Sequence, residues 1–167
     1  VLGLLGLGWD VVNISQKYHA SCHATHSPLE AALEVIGRER IALTDIAKIT
    51  VRSSKMALDA AGRAVPATGL EGKFSIPFCV ANALITGETG TRAFTDENVQ
   101  DPAITALMKN ITVELDPGKL ALEAHVDIET VDGKTHTGFS DILQQIPALE
   151  VKKDRVAKKF VDLCSRV

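Results

Sequence analysis

Ten consecutive residues near the start of the chain, Lys17-Tyr18-His19-Ala20-Ser21-Cys22-His23-Ala24-Thr25-His26, carry three of its five histidines together with a lysine and a thiol. Imidazole is the side chain whose ordinary pKa lies nearest neutrality, and an ammonium beside it lowers that pKa while offering an anchor for an anion. Such a set suits proton transfer on a carboxylate substrate. Two other chemistries use the same residues. His19, Cys22, His23 and His26 are all competent zinc ligands, although structural zinc sites draw ligand pairs from two segments and no second Cys/His pair follows downstream. Cys22 with a histidine base makes a covalent catalyst, set against the commoner buried and inert cysteine. General acid–base work with anion docking by Lys17, His19 and His26 is the third reading. Residue types alone leave the three open.

The elements that must position this cluster follow at once. Ser27-Pro28-Leu29-Glu30 has the form of a helix start, with Ser27 as N-cap, Pro28 at the first helical position and Glu30 closing a capping box. Leu29, Ala32, Leu33 and Ile36 recur at helical spacing, and Gly37, Arg38 and Arg40 mark an end. The free N–H groups of that helix would then lie beside His26, ready for an anion. Residues 45–53 alternate as a half-buried strand, and a loop with Gly62, Pro66 and Gly69 comes next. A buried helix is expected over 76–86, with Pro77 tolerated in its first turn, and another from Asp101-Pro102 to Met108 or Lys109. Strands are expected over 110–115 and 122–131, and Asp132-Gly133 is a hairpin signal before a third strand over 134–139. Val156, Phe160, Val161 and Leu163 among basic residues make 151–164 an amphipathic helix, with Lys152, Lys153, Lys158 and Lys159 on its wet face. His125 and His136 fall in the strand pattern and read as cross-strand or exposed residues. The sum is an α+β fold, an antiparallel sheet with a β-hairpin covered by helices.

Composition narrows the partners. The 167 residues suffice for one domain, and the 18 basic against 21 acidic residues, net charge −3, give no basic excess to draw the chain to phosphate backbones or a membrane surface. Nucleic acid and membrane are therefore not expected partners. The apolar run 1–9 is too short to span a bilayer and lacks flanking basic residues, so it reads as a buried segment of a larger polypeptide. Three widely separated cysteines, Cys22, Cys79 and Cys164, point to a reducing compartment, cytoplasm or an organelle matrix.

Three motifs in order carry a resemblance: Lys17-Tyr18-His19-Ala20-Ser21-Cys22 with Thr25-His26, then residues 68–81 (TGLEGKFSIPFCVA), then residues 94–99 (FTDENV). Together they resemble the C-terminal part of the MmgE/PrpD family, which includes 2-methylcitrate dehydratase, cis-aconitate decarboxylase and iminodisuccinate epimerase. The resemblance implies the smaller α+β domain of a two-domain enzyme, its N-terminal helical domain lying outside this chain, assembled as a homodimer with the active site in the cleft between domains. It also implies di- or tricarboxylate substrates, proton abstraction beside a carboxylate, and no metal or organic cofactor. Carried over by position, Lys17, His19 and His26 would be catalytic, with Lys17, Ser21, Cys22, Lys73 and Ser75 binding substrate. Phe78 stands where relatives commonly have tyrosine, so chemistry that uses that phenol is not carried over, and His23 matches no expected histidine. Dehydration of a 2-methylcitrate-like acid is the leading expectation, with epimerisation of an amino- or iminodicarboxylate and decarboxylation of cis-aconitate beside it. A non-catalytic dimerisation module is the alternative of another class. The 167 residues by themselves are expected to be inactive.

Overall fold

A computed structural model of the chain describes residues 16–165, so the apolar run 1–9 and its expected burial lie outside the described residues. Among the described residues, seven α-helices and four strands follow one another: α1 (His26–Glu39), β1 (Ile46–Ser53), α2 (Lys55–Ala61), α3 (Gly69–Gly72), α4 (Ile76–Thr86), α5 (Asp96–Val99), α6 (Pro102–Met108), β2 (Ile111–Leu115), β3 (Glu123–Thr130), β4 (Thr135–Asp141) and α7 (Leu149–Cys164). The architecture is α+β.

The sheet order is β2-β1-β3-β4. β1 pairs antiparallel with β3, and β3 with β4, but β2 runs parallel to β1, so the sheet is mixed where a purely antiparallel one was expected. Chain path explains the difference. Antiparallel neighbours can be joined by a tight turn, as Asp132 and Gly133 join β3 to β4, with Gly133 at φ 83°. β1 and β2 are instead separated by the whole run α2 to α6, a crossover long enough to return the chain in the same direction. Two short helices of that run, α2 and α3, occupy the stretch expected to be loop. Ser54 and Thr68 cap them, accepting from Ala57 N and Glu71 N.

The core lies between the sheet and helices α1 and α4. Ile49, Val51, Val126 and Ile128 from the strands meet Ala31, Ala32 and Val35 of α1 and Ile76, Phe78 and Val80 of α4, all buried. Close approach of α1 to the sheet depends on Gly138. A Cβ there would lie 2.5 Å from Val35 Cγ2 and 2.8 Å from the Ala31 carbonyl oxygen.

One local expectation fails at the start of α1. A 3-10 turn, His23–Thr25, runs straight into the helix, so the helix starts at His26 with Thr25 as N-cap, and no capping box forms. Ser27 Oγ donates instead to the Leu122 carbonyl and accepts from Ile142 N, tying α1 to the segments flanking β3 and β4. Glu30 turns to partners distant in sequence. Long-range hydrogen bonds have displaced the local ones: Ser27 is buried against the segments flanking the sheet, and the half-buried Glu30 faces His19 and Arg155 instead.

Candidate functional site

Residues 16–22 enter the fold pinned by two backbone hydrogen bonds, Ala20 N to the Thr89 carbonyl and Cys22 N to the Lys73 carbonyl, both 2.9 Å. The 3-10 turn then delivers His23 and His26 side by side. His26 is the hub. Its ring stands 4.8 Å from that of His19 and 5.1 Å from that of His23, centroid to centroid.

Hydrogen bonding assigns the protons. His26 Nδ1 lies 3.2 Å from the Cys22 carbonyl, which can only accept, so Nδ1 carries the hydrogen and Nε2 carries a lone pair. Nε2 is buried without a partner, a state it shares, among the described residues, with Asn82 Oδ1. Burial first, then the charges of His19, His23 and Lys17, push the His26 pKa down to about 2, against a smaller upward pull from Glu30. The ring is neutral at physiological pH, with its Nε2 lone pair buried and without a partner.

His19 is held at both ends. Nε2 donates to Glu30 Oε1 at 2.9 Å, and Nδ1 meets Thr89 Oγ1 at 2.9 Å. Glu30 in turn receives both guanidinium nitrogens of Arg155 from α7, at 2.5 and 3.2 Å. Burial favours the neutral carboxyl, but the hydrogen bonds from His19 and Arg155 outweigh it and hold the Glu30 pKa at about 2. Arg155 also lies over the Tyr18 ring, 5.2 Å from its centroid.

A hollow of about 780 Å³ opens beside this cluster, lined by Tyr18, His23, His26, Glu30, Arg38 and Arg155 among others, with the end of β4 as a further wall. Of the residues singled out in the sequence, His26 lines it and His19 backs it through Glu30. Lys17 is exposed and does not itself line the hollow, although its neighbours Gln16 and Tyr18 do and its charge lowers the pKa of both His23 and His26. Ser21 is buried, its hydroxyl 2.7 Å from that of Thr25, which donates to the Cys22 carbonyl. Cys22 is half-buried. Ser75 caps α4 by accepting from Phe78 N, and Lys73 sits 5.8 Å from the Phe94 ring centroid, so this second motif stands away from the hollow while bracing Cys22 through the Lys73 carbonyl. No three His, Cys, Asp or Glu side chains come together as a metal-ligating group among the described residues. No described helix is long and apolar enough to cross a membrane.

Sequence reasoning assigns Glu30 only a capping role and Arg155 none, and the structure places both at the site. A carboxylate one turn after a histidine-rich entry and a lone arginine among four lysines were the available signals.

Residues 19–167 match the MmgE/PrpD C-terminal domain. The chain belongs to the MmgE/PrpD family. The match begins at His19 and so takes in His23, His26, Glu30 and Arg155, placing the imidazole cluster and both ends of its ion-pair network inside the MmgE/PrpD domain. No curated protein matches the chain closely enough to add a relative.

Proposed function

We propose that this MmgE/PrpD domain takes part in proton transfer at a carbon next to a carboxylate, with His26 as the base. Lyases and isomerases both occur in the family, and both reaction types can begin by breaking such a C–H bond. The observation that carries the reading is the buried, unpartnered Nε2 lone pair of His26 beside a hollow large enough for a di- or tricarboxylate. A base with a pKa near 2 is weak in the free protein. A bound carboxylate adds negative charge beside a ring now depressed by burial and neighbouring positive charge, and so raises its basicity when substrate is present. Dehydration of a 2-methylcitrate-like hydroxy acid is the leading reaction, with epimerisation and decarboxylation drawing on the same first step. Lys17, Lys73 and Ser75 act as substrate contacts in this reading only when the helical domain and a second subunit complete the cleft, in the cytoplasm or an organelle matrix.

Incubation of the full-length protein with a panel of di- and tricarboxylates in deuterium oxide, read by mass spectrometry, tests the proposal whichever product forms. Deuterium is expected in at least one acid, and His26→Gln is expected to slow its entry by ~10²–10⁴-fold. Exchange at the wild-type rate in that variant, or none with any acid, overturns it.

A further inference from the structure

Arg155 is the one guanidinium of α7, and it reaches across to Glu30 with two nitrogens on two oxygens, a fork geometry that fixes the carboxylate in plane and direction. The oxygen nearer Arg155 Nη1, Oε1, is the same one that accepts from His19 Nε2. An ionised carboxylate cannot donate, so His19 carries its proton on Nε2 and, when neutral, presents its Nδ1 lone pair to the Thr89 hydroxyl. His19 then packs at 4.8 Å against His26. A chain of contacts thus runs from α7 through a carboxylate and one imidazole to the ring beside the hollow.

We infer that Arg155 is a positioning residue, which by gripping Glu30 sets the tautomer and orientation of His19 and, through that ring, the placement of His26. α7 serves this role as a carrier. It has no buried residue of its own and is tied to the rest of the protein by polar contacts: Arg155 on Glu30, Lys159 on the Lys17 carbonyl, and Asp162, whose carboxylate accepts from Thr91 N at 3.0 Å and Thr91 Oγ1 at 2.8 Å. Lys159 thereby holds residue 17, two before His19, and Asp162 holds Thr91, two after the Thr89 that meets His19, so docking of α7 and seating of His19 are linked. This inference rests on the reading of His26 as a proton-transfer group, but the state of His19 can be observed without turnover.

The test uses the full-length protein carrying ¹⁵N-labelled histidine. His19 Nε2 is expected to carry its proton toward Glu30, and Arg155→Met is expected to shift the His19 ring-nitrogen signals toward tautomer averaging. Arg155→Lys, which keeps the charge but not the fork, is expected to fall between the two and serves if the methionine variant does not fold. With an exchanging carboxylate, kcat falls about 10- to 100-fold in Arg155→Met while KM changes little, as for a misplaced base. Unmoved His19 signals in both variants overturn the inference, as does a wild-type His19 whose Nε2 carries no proton. A raised KM with kcat preserved also overturns it, because Arg155 would then be a substrate contact. Should no acid exchange even in the wild type, the proposed function falls and the nitrogen signals alone decide the role of Arg155.

Discussion

Helices α1 and α7 have similar lengths, 14 and 16 residues, and are attached to the protein by different physics. α1 buries seven residues, among them Leu29, Ala31, Ala32 and Val35, against the sheet and α4. α7 buries none and leaves Leu149, Val156, Phe160 and Val161 exposed. Apolar burial is non-directional and strong in aggregate, whereas α7 rests on directional contacts such as Arg155–Glu30 and Asp162–Thr91. The site is built where these two kinds of attachment meet. α1 supplies a rigid platform for His26 and Glu30, and α7 supplies a charged side chain that trims it.

The contrast is tested most severely at Leu29, which is 1% exposed. Leu29→Ala should cost ~2–5 kcal/mol of unfolding free energy, the range for deleting a buried leucine side chain with partial collapse of the cavity. Urea denaturation measures it. A loss below 1 kcal/mol would mean that α1 is not the platform described.

A second prediction tests by pH the two titrating groups that α1 carries into the site. His26 has its folded pKa depressed to about 2, while an unfolded histidine titrates near 6.5. Below pH 6.5 the unfolded chain therefore takes up a proton at this position that the folded chain refuses. Stability from this group is present above 6.5 and is lost as pH falls, by ~2 kcal/mol between pH 7 and pH 5. Glu30 acts lower down: its depressed pKa contributes stability above the ordinary carboxyl range near 4.3, lost as pH falls from there toward 2. Urea melts at pH 7 and 5 should show the first loss in the wild type and a clearly smaller one in His26→Gln. Equal losses in the two proteins would remove His26 as the cause.

Much of the fold is legible in the chain, and what escapes has identifiable causes. The bounds of α4 and α6 follow from Pro at their starts and, for α4, from Gly87, because backbone chemistry is local. The β3–β4 hairpin follows from Asp132-Gly133 in the same way. The parallel pairing of β1 with β2 depends on partners some 60 residues apart and leaves no local trace. Ser27 and Glu30 were misread for the opposite reason: they fit a local capping pattern, but Ser27 is spent on Leu122 and Ile142, and Glu30 on His19 and Arg155. At the site, the histidine cluster was visible as density of residue type. Its ordering was not, since the proton positions on His19 and His26 are set by Glu30 and the Cys22 carbonyl, and Glu30 by an arginine 125 residues away.

The smallest expected effect is the most exposed part of the comparison. Phe160 on α7 is 66% exposed, and with Val156 and Leu149 it forms an apolar strip facing outward. Truncating an exposed aromatic forfeits little buried area, and alanine is the better helix former, so the two terms partly cancel. Phe160→Ala should therefore change the unfolding free energy by no more than ~0.5 kcal/mol, as for surface positions generally. Denaturation of the two proteins side by side gives the number. A cost of ~2 kcal/mol or more would show that α7 is seated by apolar burial in solution, and the division between a packed platform and a tethered helix would then have to be given up.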